Sequence, residues 1–170
     1  MFKQLDDFAI CKTEKFNLKK LVENILPLFN EIMREKKINS IISIDSNIEV
    51  FADKNMVSTI FRNLITNAIK FSYPESSFTI RAFNDKDFIQ TEVIDHGIGI
   101  SNKNLEKLFR IDQSFSNHGT NNEKGSGLGL IICKEFVELN QGKIWVDSKL
   151  ENQSAGRQGG SSFKFTLKMA

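Results

Sequence analysis

Histidine, cysteine and proline occur twice each in these 170 residues, and tryptophan and tyrosine once each. His96 and His118 lie in different segments, and neither cysteine belongs to a Cys-x-x-Cys pair, which argues against a zinc site. Cys11 and Cys133 read as reduced thiols of a cytoplasmic chain, with a single bond between them as the alternative. Long apolar runs are missing too. Stretches such as "GLIIC" are far too short to cross a bilayer, and Lys, Glu or Asp interrupts every neighbourhood. The first residues, "MFKQLDDFAICK", are acidic in their middle and do not resemble a secretory leader. Nor is there an excess of one charge: 23 basic against 21 acidic residues give a net +2, so no nucleic-acid partner is expected. No G-x-x-x-x-G-K-[ST] sequence occurs, which removes the Walker type of phosphate loop.

What remains is an ordinary balance of 40% hydrophobic and 26% charged residues, enough for one domain with a real core. Fifteen phenylalanines read as core filling. Residues 1–15 look like the tail of a preceding helix or a linker, and residues 16–170 like the domain. Leu18, Leu21, Val22, Ile25, Leu28, Phe29 and Ile32 follow a helical period, with Pro27 predicting a kink. "INSIISID" alternates as a strand. Asp53 is an N-cap candidate for a helix with Val57, Ile60, Phe61, Leu64, Ile65, Ala68 and Ile69 on one side, ended by Pro74. Two strands, "SFTIRAF" and "DFIQTEVID", flank the turn "NDKD", and a short helix "NKNLEKLF" follows. Residues 111–124 read as a loop long enough to suspect a function or disorder, and a further helix covers about 128–139. "GKIWVDS" and "SSFKFTL" close the chain as strands. The order predicts an α+β fold: a two-layer α/β sandwich whose mixed, mainly antiparallel sheet of about five strands packs on three main helices.

Three groups of residues could carry chemistry. Asn63, Asn67 and Lys70 project within roughly 60° of one another on the helix after Asp53, away from its apolar side. Carboxamide oxygens can ligate Mg²⁺ and an ammonium can neutralise phosphate; a solvated polar face is the alternative. In "VIDHGIGI", Asp95 at a strand end can accept from an exocyclic amine, and Gly97 and Gly99 let the backbone turn beneath a flat ligand. A tight turn with an Asx hydrogen bond explains the same residues. Gly125, Gly127 and Gly129 in "KGSGLGL" allow close approach of backbone N–H groups to an anion at a helix start, or serve only as a hinge.

In this order and spacing, the groups resemble the ATP-binding catalytic domain of sensor histidine kinases, within the gyrase, chaperone, kinase and mismatch-repair superfamily. "NLITNAIKFS" resembles its asparagine box, "DHGIGI" its first glycine box and "KLFRIDQSF" its phenylalanine box. "KGSGLGLIICKEFVELNQGKIWVDS" is similar to its second glycine box with the following helix and strand, and "GGSSFKFTL" to its closing strand. The resemblance implies ATP and Mg²⁺ as cofactors, with Asn67 on the metal, Asn63 beside it and Lys70 on the phosphates as the catalytic set. It also implies Asp95 on the adenine amino group, Gly97 and Gly99 around the base, and Phe71 as an aromatic near it. Lys124, Gly125, Ser126, Gly127, Leu128 and Gly129 would form the phosphate-facing end of an ATP lid spanning residues 111–124, with Phe109 and Phe115 anchoring it.

Within that superfamily the ATPases carry a glutamate one turn before the metal-binding asparagine, where this chain has Asn63. Asparagine is no general base, so the resemblance is to the kinases, whose γ-phosphoryl group goes to a histidine. His96 sits where the family more often has Asn, and His118 falls in the lid. Neither has the helical context of a phosphoacceptor. The implied partners are therefore a histidine-acceptor dimerisation domain of the same parent protein and a response regulator downstream, with the isolated domain a cytoplasmic monomer and membrane anchoring left to the parent. An anti-sigma-type serine kinase and a nucleotide-binding sensor module without transfer are the two rival readings.

Overall fold

The chain is described by a computed structural model over residues 11–110, 120, 127–151 and 158–170. It begins with a strand, β1 (Thr13–Asn17), so Thr13, Glu14 and Lys15 belong to regular structure inside the stretch expected to be a tail. The side chain of Asn17 then accepts from the Lys20 N–H and caps α1 (Leu18–Ile25), which buries Leu18, Leu21, Val22 and Ile25. At Pro27 the helix tightens into a 3₁₀ turn, Leu26–Phe29, before resuming as α2 (Asn30–Lys36). The change of pitch rotates the apolar stripe outward. Leu28 and Ile32, expected on the buried side, are 64% and 44% exposed.

β2 (Asn39–Ile44) and β3 (Glu49–Asp53) follow, and Asp53 caps α3 (Lys54–Phe71) by accepting the N–H groups of Asn55 and Met56, both at 3.0 Å. All seven apolar residues expected on one side of α3 are buried. The hairpin of β4 (Ser77–Asp85) and β5 (Phe88–Asp95) turns through Lys86 at φ 55°. Helix α4 is only Asn102–Leu105; α5 (Gly129–Leu139), β6 (Ile144–Lys149) and β7 (Gly160–Lys168) complete the described elements.

Five strands form one sheet in the order β2-β4-β5-β7-β6, parallel only between β2 and β4, and β1 pairs with β3 in a separate antiparallel pair. The β2–β4 connection carries α3, which is what a parallel pair requires. Phe78 and Ile80 of β4, Ile89 and Val93 of β5, and Phe163, Phe165 and Leu167 of β7 point into one core with α1, α3 and α5. Phe61 of α3 meets Phe165 edge-on, ring centroids 5.5 Å apart. On the other face Arg81, Glu92 and Lys164 stand in register across β4, β5 and β7. The two-layer α+β sandwich with a mixed, mainly antiparallel five-stranded sheet is thus observed. Except for Thr120, the expected lid lies outside the described residues. Among those described, no helix is long and apolar enough to cross a membrane.

Candidate functional site

β5 delivers Asp95 to its C-terminal end on the inward side of the sheet, where the residue is 4% exposed. Its Oδ1 accepts the Gly97 N–H at 3.0 Å and the Ser161 N–H at 3.2 Å, and neither bond uses Oδ2. Burial pushes this carboxyl up to about 6, against the opposing pull of those two N–H groups. The Asx bond of a tight turn is therefore present. A turn alone does not require a buried carboxylate, however, and Asp95 has one oxygen oriented by the backbone and a second left to accept from something else.

Behind Asp95 the turn is wedged between two pieces of backbone. A Cβ added at Gly97 would fall 1.9 Å from the Phe71 carbonyl oxygen, at the end of α3. One added at Gly99, where φ is +72°, would fall 1.9 Å from the carbonyl oxygen of Lys149, at the end of β6. Only glycine fits either position. The Ile98 N–H donates to Phe71 O at 3.3 Å, and Ser72 bridges Gly97, so the turn is hydrogen-bonded to the helix carrying the second group of site residues.

On that helix Asn63 and Asn67 are half-buried and Lys70 is 9% exposed, which is not the profile of a solvated face. The Lys70 ammonium lies 4.8 Å from the centroid of the Phe71 ring. Asn63 faces the start of α5: a Cβ on Gly129 would come within 2.9 Å of Asn63 Oδ1. One turn further on the buried Cys133 thiol donates to Ile60 O at 3.8 Å, and burial pushes it up to about 12 against a lowering pull from Asn63. Gly127 has φ +73°, and Leu128, the N-cap of α5, is 56% exposed and brings no side-chain acceptor to the first turn. The positive end of α5 thus lies beside the asparagine face of α3.

The structure accordingly brings Asn63 to Gly129 and the Phe71 carbonyl to Gly97, whose N–H in turn donates to Asp95, while the Lys70 ammonium lies over the ring of its chain neighbour Phe71. Lys124, Gly125, Ser126, Phe115 and His118 lie outside the described residues. His96 is exposed beside the turn, and Phe109 packs partly buried against the core. Sequence reasoning passed over several contributors. Ser161 orients the Asp95 carboxylate; Thr120 donates through its N–H to Lys70 O at 3.1 Å and through Oγ1 to Ser72 O at 2.8 Å. Buried Lys36 donates through Nζ to the carbonyls of Ile69 at 2.8 Å and Lys70 at 2.9 Å. The glycine pair before Ser161 was a usable signal for that residue. Lys36 stands 33 and 34 residues from its acceptors, beyond any local pattern.

Comparisons with known proteins point the same way. Residues 52–170 match the family described as histidine kinase-, DNA gyrase B-, and HSP90-like ATPase. The adaptive-response sensory kinase SasA of Synechocystis sp. is 31% identical over 149 residues, covering 86% of this chain and 37% of SasA. The catalytic domain of the histidine kinase ThkA, in a nucleotide-free structure, superposes with a TM-score of 0.75 at 27% identity, over 92% of this chain and 95% of that domain. ThkA in complex with the response regulator TrrA gives 0.73 at 25% identity, over 94% of this chain and 42% of the ThkA chain. The chain spans less than two fifths of the length of SasA.

Proposed function

This chain belongs to the histidine kinase-, DNA gyrase B-, and HSP90-like ATPase family, as an ATP-binding domain of the sensor histidine kinase type, and on that premise we propose that it binds Mg-ATP and donates the γ-phosphoryl group to a histidine on a separate dimerisation and phosphoacceptor domain. The observation that carries the proposal is the buried Asp95 carboxylate, oriented through Oδ1 alone, at the foot of the helix bearing Asn63, Asn67 and Lys70. Oδ2 accepts from the adenine amino group, which distinguishes adenine from guanine by donor against acceptor. Phe71, Gly97 and Gly99 shape the space for the base. Asn63, Asn67 and Lys70 then face the phosphates with the amino end of α5, and Lys124, Gly125, Ser126, Gly127, Leu128 and Gly129 are the further residues assigned to nucleotide contact.

A carboxamide oxygen together with phosphate oxygens is a hard donor set suited to Mg²⁺, and Asn67 is the residue assigned to hold it. No cluster of three or more His, Cys, Asp or Glu among the described residues offers a competing protein-built cage. When bound, Mg²⁺ neutralises charge on the transferring phosphoryl group. Asn63 cannot activate water as a carboxylate would, which favours transfer over hydrolysis. The ThkA complex with TrrA supports a response regulator as the downstream partner.

The deciding experiment incubates this chain with γ-labelled ATP, Mg²⁺ and a separately supplied acceptor hairpin. Acid-labile label on the hairpin is the expected outcome, abolished by Asn67→Ala. Acid-stable label on a serine would favour a serine kinase instead. Nucleotide binding with no transfer would reduce the domain to a sensor module.

A further inference from the structure

The turn that carries Gly97 and Gly99 is gripped from two sides, and one side-chain pair joins the grips. Ile98 sits at its centre: its N–H donates to Phe71 O at 3.3 Å, and its carbonyl accepts the Glu151 N–H at 3.0 Å. Two residues beyond Phe71 stands Tyr73, and Glu151 itself lies two residues beyond Lys149, whose carbonyl abuts Gly99. Across the turn, Tyr73 Oη donates to Glu151 Oε2, although the residues are 78 apart in sequence. Gly159 closes the remaining side: a Cβ there would fall 2.6 Å from Gly97 O and 2.8 Å from the Glu151 N.

We propose that the Tyr73–Glu151 hydrogen bond is a clamp that holds the end of α3 and the exit of β6 at a fixed separation, so that both are positioning residues for adenine binding at Asp95. This rests on the adenine reading given above. The physical basis is geometric. Gly97 and Gly99 already touch backbone on both sides, so a small opening between the two jaws changes the path of the turn and the aim of the Asp95 carboxylate. The bond to the Glu151 carboxylate pushes the ionisation of the Tyr73 hydroxyl upward, with burial adding to it. Neither side chain is fully buried, and the hydrogen bonds that orient Asp95 come from Gly97 and Ser161 rather than from either of them. Their effect on nucleotide is therefore through the turn.

The test compares the 170-residue chain with Tyr73→Phe and Glu151→Gln, by titration calorimetry with ADP and by amide hydrogen exchange. Losing a hydrogen bond to a carboxylate should raise the ADP dissociation constant about 5- to 10-fold in Tyr73→Phe. Exchange should accelerate at the Ile98 and Glu151 amides while core strands β5 and β7 keep their protection. Glu151→Gln still accepts from the hydroxyl and should recover most of the affinity. Unchanged ADP affinity in Tyr73→Phe would overturn the clamp alone. Faster exchange throughout the core would also overturn it, as mere loss of stability. A parent chain that binds no adenine nucleotide would remove the adenine reading and the clamp together.

Discussion

Asp95 sets two opposing pH dependences. Its ordinary carboxyl value is about 3.9, and in the folded chain it rises to about 6 through burial. The native state therefore binds the extra proton between those values while the unfolded chain does not. Stability from this group is present at low pH and declines as pH rises toward 6, by about 2–3 kcal/mol in all. In the proposed adenine role nucleotide binding runs the other way, because protonation turns Oδ2 into a hydroxyl donor facing the adenine amino group, while the ionised oxygen accepts from it. ADP affinity should fall about tenfold from pH 7.5 to pH 5, since a group titrating near 6 is then about one-tenth ionised. Calorimetry across that range, beside thermal melts of the nucleotide-free chain, reads both slopes. In Asp95→Asn the carboxamide oxygen can still take the Gly97 and Ser161 N–H groups, which leaves its NH₂ facing the adenine amino group, donor against donor. Affinity should drop by a factor of about 100 or more, and the pH slope of binding should vanish with it. An unaltered affinity would displace Asp95 from the adenine role.

At the scale of elements, helix α3 carries most of the proposed site, and its two ends differ in how far the sequence discloses them. Asp53 as N-cap, the apolar side and the stop before Pro74 follow from contacts within four residues, so all three were legible. The opposite end depends on Lys36, which arrives from α2 to hold the carbonyls of Ile69 and Lys70. Nothing local to either segment announces that contact. The exposed Leu28 and Ile32 show the same limit, because the 3₁₀ turn at Pro27 shifts a periodicity that reads as continuous. Lys36→Met should keep the volume of the buried stem while leaving two terminal carbonyls without the ammonium. The cost should be about 1–3 kcal/mol, and it should appear as lost protection in the last turn of α3 and weaker binding of ADP. A urea midpoint equal to that of the parent chain would show that the carbonyls find other donors.

For the molecule as a whole, the layer order and the sheet's mixed character were readable, because hairpins and amphipathic helices announce themselves locally. The β1–β3 pair was not, since Thr13 finds Asp53 across 40 positions and Phe51 of β3 points outward at 43% exposure. That pair matters because its Asp53 end is joined to both helices of the proposed site through one buried side chain, Asn140. Asn140 Oδ1 accepts the Asp53 N–H at 2.6 Å, and its Nδ2 donates to Phe136 O at 2.7 Å, joining the end of α5 to the start of α3. The incoming chain is fastened at the same place, with the Lys12 N–H donating to Asp53 Oδ2 at 2.8 Å and the Cys11 thiol 3.7 Å from Asn140 Oδ1. Asn63 and Gly129 therefore meet on two helices that are also tied together at their far ends. Asn140→Ala leaves the Asp53 N–H and the Phe136 carbonyl without this partner in a buried setting, at a cost of about 2–3 kcal/mol. If α3, α5 and the β1–β3 pair unfold as one unit, urea denaturation should show a lower midpoint with an unchanged slope. A shallower slope or a second transition would instead show that the joint only links two independently stable parts.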